Sequence, residues 1–281
     1  MRILNGKVAV VTGGATGIGK AMALALAGEG MAVAIASTNF ERLEAAATEI
    51  RAAGGAVATY VCDVTDRGAV RNLAASVTRD LGAPDLVCAN AGVTTFGPFL
   101  DHADADWDWV IDVVLRGVTN CVQAFYPLLA EKRAGHLMIT GSQTAYCPDW
   151  VLQHGPYVAA KGAVHALALA LRAEAAELGV EVSLLVPAAT RTDVSLSARS
   201  RPGRYGSGLV GQVRMREDAP KMLDRYPMFI EAEEAARRAI HGVKTNAAIT
   251  VTHPGMKPLV DDYLERIAAA YDLAANYDPL P

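Results

Sequence analysis

A tyrosine and a lysine stand four residues apart in PYVAAKGAVHALALALRAEAAELG, at positions 157 and 161. The segment has a helical pattern, and four residues advance about 400° around a helix, so both polar heads share one face. A tyrosine of ordinary pKa, about 10, is a poor base at neutral pH, but a nearby ammonium group favours its ionised form. Tyr157 is therefore a candidate general acid–base for the proton of a substrate hydroxyl. The spacing alone is common in surface pairs, and Ser142, at the end of an apolar run, makes a site credible.

A glycine-rich turn precedes these residues. Thr12-Gly13-Gly14-Ala15-Thr16-Gly17-Ile18-Gly19 lies between the apolar run VAVVT and the helical segment IGKAMALALAGEG. A pyrophosphate needs close backbone amides and the positive end of a helix dipole, and glycines permit that approach. A strand, a glycine turn and a helix in this order predict a dinucleotide site rather than a bare turn.

Seven apolar runs alternate with helical stretches, and several are apolar on both faces, as buried parallel strands are. They are residues 8–12, 32–36, 57–61, 85–90, 136–140, 180–186 and 247–251. This alternation predicts a doubly wound α/β sheet of seven parallel strands in a single domain, 1–281. A long excursion at residues 188–230, rich in Arg, Pro and Gly, is interpreted as a substrate-binding loop, with a floppy loop as the alternative.

The composition excludes several functional classes. The chain has 281 residues, 52% of them hydrophobic, and a formal net charge of −4, which gives no reason to expect nucleic acid or an anionic membrane. The N-terminus lacks a signal-peptide pattern and no transmembrane helix is expected. The cysteines at 62, 88, 121 and 147 are far apart, so we expect no metal site and no disulfides, in a reducing cytoplasm.

Six motifs in order resemble the short-chain dehydrogenase/reductase family over essentially the whole chain. They are T-G-x-x-x-G-x-G at 12–19, Asp63-Val64, Asn90-Ala91-Gly92, Ser142, Tyr157-x-x-x-Lys161 and Pro187…Thr192. The resemblance implies a Rossmann-type fold and an NAD(P)-dependent oxidoreductase. It implies that Ser142 bonds the substrate oxygen, Tyr157 transfers the proton and Lys161 holds the cofactor ribose. The cofactor residues it implies are Gly13, Thr16, Gly17, Ile18, Gly19, Ser37, Thr38, Asp63, Val64, Asn90, Ala91, Gly92, Tyr157, Lys161, Pro187, Thr190 and Thr192.

The end of the second strand bears on which cofactor is used. An acidic residue there normally holds the ribose 2′-OH of NAD and repels the 2′-phosphate of NADP. Here the position is Ser37, followed by Thr38, and Arg42 could reach back. We expect NADP(H) to be favoured slightly over NAD(H). The alternative is that Ser37 and Thr38 only cap the next helix.

The sequence departs from the family pattern at two positions. Val114 stands where an asparagine kinks a helix and holds a water that links the lysine to solvent, and Ala188 stands where glycine is usual. Asn120 cannot substitute, because six residues leave it about 240° around the helix. We predict a working site whose proton resupply differs.

On the substrate side, Phe96, Tyr146, Trp150 and Tyr205 suggest a pocket for an apolar or aromatic group, with core or dimer packing as the alternative. The loop arginines (191, 199, 201 and 204) could clamp an anion or form a solvated face. R-P-x-x-Y-G and T-H-P also resemble a subset that includes bacterial dehydrogenases of lignin-derived aryl ethers. His154 and His165 are interpreted as a loop residue and a helix-surface residue.

These observations predict an oxidoreductase that interconverts a secondary alcohol and a ketone. An epimerase or dehydratase that recycles its cofactor, or a non-catalytic dinucleotide-binding protein, is the alternative. Apolar faces on the helices at 104–132 and 156–178 suggest a homodimer or homotetramer, with burial against the chain's own sheet as a second reading.

Overall fold

The computed structural model describes residues 1–209, 211–212, 214–217 and 229–277. The strands are β1 (Val8–Thr12), β2 (Ala32–Ser37), β3 (Ala56–Val61), β4 (Leu86–Ala89), β5 (His136–Thr140), β6 (Val151–Leu152), β7 (Glu181–Val186), β8 (Thr190–Arg191), β9 (Arg214–Met215), β10 (Ile230–Glu231) and β11 (Ile249–Val251). The helices are α1 (Gly17–Gly28), α2 (Phe40–Ala52), α3 (Arg67–Asp80), α4 (Asp104–Ile111), α5 (Gly117–Glu131), α6 (Gly155–Glu177), α7 (Ala232–Thr245) and α8 (Lys257–Ala275). Each of the seven apolar runs forms a strand within two residues of its expected bounds.

The main sheet has seven parallel strands in the order β11-β7-β5-β4-β1-β2-β3, which confirms the predicted fold. The chain runs outward from β1 to β3 and then returns to place β4 on the other side of β1. In open α/β sheets, ligands bind beyond the carboxyl ends of the strands at such a reversal. The topology therefore places the expected site above β1 and β4.

Both faces of the sheet are covered, and this explains why its strands are apolar throughout. Along β1, Val8 and Val10 belong to the core cluster on the side of α3, α5 and α6. Ala9 and Val11 belong to the cluster beneath α1, α2 and α7. Alternate residues of a strand point to opposite faces, so a doubly covered strand has no polar side.

A π-helix, Asp112–Arg116, joins α4 to α5 and contains the unusual Val114. The amide of Gly117 donates to the carbonyl of Asp112, five residues back, and Val114 is fully buried. Single π-turns inside α-helices bend them and are frequent at functional sites. The helix is thus irregular at Val114, although the family resemblance attributes the kink at this position to an asparagine.

The run of helix from 104 to 131 is long and apolar enough to cross a membrane by length and composition alone. In its most apolar window, 44% is buried inside the fold. A single helix of this kind is weak evidence for a membrane span, and the expectation of none stays a prediction.

The excursion after β7 starts and ends beside the sheet. β8 pairs in parallel with β10, and β9 pairs antiparallel with β6. Positions 210, 213 and 218–228 of the expected substrate loop lie outside the described residues. The described part of the loop is tied to the segment before α6 through Val151 and Met215.

Candidate active site

A cavity of about 920 Å³ opens at the carboxyl ends of the central strands. Ser142, Tyr157 and Lys161 line it, and so does every residue that the family resemblance assigns to the cofactor, from Gly13 to Thr192. The structure thus brings the predicted residues together in one place. Their roles in binding and catalysis stay predictions.

The glycine turn has the shape that a pyrophosphate requires. A methyl group at Gly19 would lie 2.2 Å from the Gly13 carbonyl oxygen, so only glycine allows this close packing of turn and helix. Gly17 has a φ of +55°, in the left-handed region that favours glycine. Thr16 precedes α1 without a side-chain capping bond, which leaves the first-turn amides free for an anion. The residues present fit a dinucleotide.

Asn90 joins three strand ends at the floor of the cavity. Its Nδ2 donates to the Thr12 carbonyl (3.1 Å), its amide donates to Thr12 Oγ1 (3.0 Å), and its Oδ1 accepts from Thr140 Oγ1 (3.1 Å). These bonds hold the ends of β1, β4 and β5 in register. Asn90 therefore shapes the floor on which the cofactor would rest.

Ser142 is held from two sides. Its Oγ accepts from the Thr144 hydroxyl (3.0 Å) and from the Thr144 amide (3.3 Å). Its amide donates to Nε2 of His165 (3.2 Å). Because its oxygen already accepts two bonds, the Ser142 hydroxyl hydrogen points to a different acceptor, and the lowering effect of Ser142 on the pKa of Tyr157 identifies the Tyr157 hydroxyl as one.

His165 is not the helix-surface residue expected from the sequence. Its side chain is only 6% exposed, and the ring of Tyr146 meets it edge-on with centroids 4.6 Å apart. Burial, and then the Lys161 charge, lower the pKa of His165 to about 4. A neutral imidazole can accept the Ser142 amide at working pH. Sequence reasoning missed it because the helical pattern does not show which face lies against Ser142.

Tyr157 and Lys161 share one face at the start of α6, as predicted. The Lys161 ammonium lies 5.6 Å from the centre of the Tyr157 ring and donates to the Thr140 carbonyl (2.6 Å). Burial raises the pKa of Tyr157 to about 12, against the opposing hydrogen bond from Ser142. Burial lowers the pKa of Lys161 to about 7. With its pKa raised, Tyr157 is a neutral phenol at neutral pH.

His154, expected to be an ordinary loop residue, lies buried beside Tyr157. Its ring stacks on Tyr157, with centroids 4.5 Å apart and an angle of 8° between the planes. Its other face stacks on Phe96 at 4.4 Å. His154 precedes α6, which has a proline in its first turn. That proline fixes where α6 begins. It could have indicated that His154 directly precedes the helix that carries Tyr157 and Lys161.

The substrate end of the cavity has apolar walls. Phe96, Trp150 and Val151 belong to one buried cluster, against which Ala188 and Met215 pack. All five line the cavity. Among the four aromatic residues predicted for substrate, Phe96 and Trp150 are therefore well placed, whereas Tyr146 lies outside the described lining and packs on His165.

Tyr205 is also not among the described residues that line the cavity. It fastens the loop to the rest of the fold. Its hydroxyl donates to Asp112 (2.8 Å). Arg201 forms an ion pair with Asp106 at 2.6 Å, and both side chains are under 5% exposed. The guanidinium of Arg201 also donates to the Tyr205 carbonyl and covers the Trp109 ring at 5.1 Å. These residues anchor the loop on α4 and the π-helix.

The other loop arginines also pair with carboxylates of the protein. Arg204 contacts Asp63 at 2.8 Å, Arg199 contacts Asp193 at 2.5 Å and Arg191 contacts Glu231 at 3.0 Å. These arginines thus have partners within the protein, but Arg191 and Arg204 are more than half exposed and all three line the cavity, so both roles considered from the sequence stay predictions.

At the far end of the cavity, the residues after β2 face the expected ribose. Ser37, Thr38 and Arg42 all line the cavity. The residue that caps α2 is Asn39, whose side chain accepts from the Arg42 amide (2.8 Å). Ser37 Oγ in turn accepts from the Asn39 amide (3.5 Å), so Ser37 lines the cavity and also supports the start of α2, and both expectations for it stay open.

Asn120 points to the loop after β3 and not to Lys161, as the helical spacing required. Its Nδ2 donates to the carbonyls of Val64 (2.8 Å) and Thr65 (3.4 Å). It therefore supports the loop after β3 and does not replace the missing asparagine at 114.

Comparisons with known proteins agree with this geometry. A family model described as short chain dehydrogenase matches residues 7–203. The chain is 30% identical over 269 residues to the C alpha-dehydrogenase of Sphingobium sp. strain SYK-6, covering 95% of this chain and 87% of that protein. It is 29% identical over 194 residues to the 2,3-dihydro-2,3-dihydroxybenzoate dehydrogenase of Bacillus subtilis, covering 69% and 74%. The crystal structure of a short chain dehydrogenase/reductase from Burkholderia phymatum in complex with NAD superposes with a TM-score of 0.86, at 29% identity and full coverage of both chains.

Proposed function

Because the chain belongs to the short-chain dehydrogenase/reductase family and is an NAD(P)-dependent oxidoreductase, we propose that it interconverts a secondary alcohol and a ketone with apolar or aromatic substituents. The observation that carries the proposal is the meeting of Ser142, Tyr157 and Lys161 with the glycine turn in one cavity. Hydride transfer to or from carbon is the chemistry that a bound nicotinamide supplies.

The chain's own residues manage the oxygen and its proton. The Ser142 hydroxyl donates to the substrate oxygen, because its own oxygen is already engaged by Thr144. In ketone reduction the neutral Tyr157 donates a proton to the developing alkoxide. In alcohol oxidation Tyr157 must accept that proton, which requires nearby positive charge to lower its pKa from about 12. Lys161, at 5.6 Å from the ring, is placed to supply it when protonated.

The substrate is an aryl-substituted alcohol or ketone, such as a benzylic one. The apolar wall formed by Phe96, Trp150 and Met215 supports this, since a flat ring gains most from burial against such surfaces. The similarity to a protein named 2,3-dihydro-2,3-dihydroxybenzoate dehydrogenase over 69% of this chain is consistent with a substrate that carries a carbon ring.

The cofactor is NADP(H) in preference to NAD(H). Ser37 and Thr38 provide hydroxyl groups without the carboxylate that would repel a 2′-phosphate, and Arg42 lines the same end of the cavity. Arg42→Ala should raise the KM for NADPH about tenfold, the loss expected for one charge-assisted hydrogen bond, and leave the KM for NADH unchanged. Arg51→Ala is the matched control, because Arg51 lies on the same helix and pairs with Glu44. An equal effect on both cofactors would contradict the preference.

The function is tested with a panel of aryl and alicyclic alcohols and ketones, each assayed with both cofactors. We expect stoichiometric change in nicotinamide absorbance with benzylic substrates and none in Tyr157→Phe. Substrate consumption without net absorbance change would indicate an epimerase or dehydratase instead. Cofactor binding without turnover of any panel member would indicate a non-catalytic protein.

We also infer a cytoplasmic homodimer or homotetramer. The four cysteines, all within the described residues, are buried and free, which suits a reducing compartment. Leu169 of α6 is 40% exposed, an apolar residue available for a helix-to-helix contact. Analytical ultracentrifugation measures the assembly, and a monomer at micromolar concentration would refute this part.

A further inference from the structure

We propose that His154 is a positioning residue that, together with Thr94 and Phe96, fixes the ring of Tyr157 and thereby aims its hydroxyl at the substrate oxygen. The inference rests on the proposed function, because it assumes that Tyr157 transfers the proton.

The three rings form one continuous stack. The Phe96 and His154 centroids are 4.4 Å apart with planes 24° from parallel, and the His154 and Tyr157 centroids are 4.5 Å apart with planes 8° from parallel. Phe96 is itself held in the buried cluster with Trp150 and Val151. His154 thus connects the Tyr157 ring to Phe96, which lies in the rigid wall of the substrate pocket, and so fixes the position of the Tyr157 ring.

Thr94 fixes the middle ring. Its Oγ1 lies 2.5 Å from Nε2 of His154, and both side chains are buried, at 5% and 7% exposure. His154 Nδ1 is buried without a hydrogen-bond partner among the described residues, so Thr94 provides the polar contact that sets the ring's orientation. Burial, and then the charge of His102, lower the pKa of His154 to about 3, so the ring is neutral wherever the enzyme works.

The direction of the contact matters for catalysis. The tyrosine hydroxyl lies on the axis of ring rotation, so ring flips do not displace it, whereas a sideways tilt of the whole ring does. A tilt of about 10° at the end of so long a side chain moves the hydroxyl by roughly 1 Å, a displacement that costs about 100-fold in rate. Face-to-face contact with His154 blocks the tilt towards that side.

The test uses three variants of His154 and Thr94 with a neighbouring control. His154→Phe keeps a flat ring, His154→Leu keeps the bulk without a flat face, and Thr94→Val removes the bond to Nε2. His102→Ala is the control, since His102 bonds Thr95 and the Pro98 carbonyl outside the cavity lining. Each variant is assayed for kcat, KM, the solvent deuterium isotope effect on kcat, and cofactor Kd.

We expect His154→Leu to lower kcat about 100-fold with KM and cofactor Kd nearly unchanged, and to raise the solvent isotope effect as proton transfer becomes limiting. His154→Phe should recover kcat to within about threefold, and Thr94→Val should fall between the two. His102→Ala should match the wild type. A kcat for His154→Leu equal to that of the wild type, or a loss that the phenylalanine does not rescue, would overturn the proposal.

Tyrosine ring NMR provides a readout that does not depend on turnover. The Tyr157 signal is identified by its absence from Tyr157→Phe. Its ring-current shift should persist in His154→Phe and be lost in His154→Leu; an unchanged shift in the leucine variant would refute the stack as the positioning contact. Wild-type inactivity across the substrate panel would instead count against the proposed function, and would leave the NMR result to decide the role of His154.

Discussion

The buried ion pair between Arg201 and Asp106 carries a specific prediction about the substrate loop. The two side chains are 4% and 3% exposed and meet at 2.6 Å, and Asp106 also accepts from the amides of Leu209 and Ala103. Arg201→Met keeps much of the side-chain volume over the Trp109 ring but leaves the Asp106 carboxylate buried without its cation. Removing one partner of a buried pair costs about 3–5 kcal/mol, against about 0–1 kcal/mol for an exposed pair.

The expected loss corresponds to a fall in Tm of roughly 10 °C, measured together with urea unfolding. Adding Asp106→Asn should return most of the lost free energy of unfolding, because the buried charge is then removed. The loop should also loosen where Leu209 packs on Gly97, next to Phe96. We therefore expect a higher KM for substrate and an unchanged cofactor Kd.

The pH dependence of this effect has a definite sign. Burial alone would raise the pKa of Asp106, but hydrogen bonds from Arg201 and from the two amides hold it below its ordinary value. A lowered carboxyl pKa contributes stability above the ordinary value near 4, and that contribution is lost as the pH falls further through the folded-state pKa. The difference in stability between wild type and Arg201→Met should thus be largest near pH 7. It should narrow as the pH falls, first through the Asp106 pKa that burial raises in the variant and then through the lowered pKa in the wild type. A loss under about 1 kcal/mol at pH 7, or no recovery in the double variant, would refute the reasoning.

Three further changes test the catalytic centre. Thr144→Val should lower kcat about tenfold, and Thr144→Ser should restore it, because the hydroxyl that bonds Ser142 is absent only from the valine variant; equal kcat values would contradict this. Lys161→Met should be inactive, yet its free energy of unfolding in urea should be higher by roughly 3 kcal/mol at pH 7, because burial lowers the pKa of Lys161 to about 7. This gain in stability should shrink as the pH rises from 7 towards 10. A difference that does not depend on pH would rule out the buried lysine charge as its cause. Val114→Asn should reduce stability by about 1–3 kcal/mol, because it buries an amide in the apolar core. An unchanged urea midpoint would show instead that the amide finds hydrogen-bond partners. A raised kcat or a shifted pH optimum in this variant would show that proton resupply limits turnover.

The sheet and the main site followed from the sequence because their signals are local. An apolar run such as Val8–Thr12 must be a covered strand, and a glycine turn between it and a helix has few other uses. The four-residue spacing of Tyr157 and Lys161 determines that they share a face. The resemblance then linked these segments in order, and the structure brought them to one cavity.

The features that were missed depend on contacts between distant segments. Nothing near His154 in the sequence shows that Thr94, sixty residues earlier, will bond its ring, and nothing near Arg201 points to Asp106. The same holds for Tyr205, which looked like a substrate residue because it is aromatic and in the loop, but bonds Asp112. The π-turn at Val114 was missed for a different reason. It is an arrangement of the backbone, and the identity of one side chain does not predict it.

The short pair formed by β8 and β10 has a consequence for how this protein could change. Thr190 and Ile230 are neighbours in that pair, so the two ends of the segment between them lie side by side. Closing a loop depends only weakly on its length, and its ends are held by strands rather than by its contents. A segment of different length and composition could therefore be joined at this point, provided that it keeps Arg201, which pairs with Asp106, and Thr192, which lies against Gly17. Thr190 and Ile230 therefore mark a boundary at which two such enzymes could be recombined.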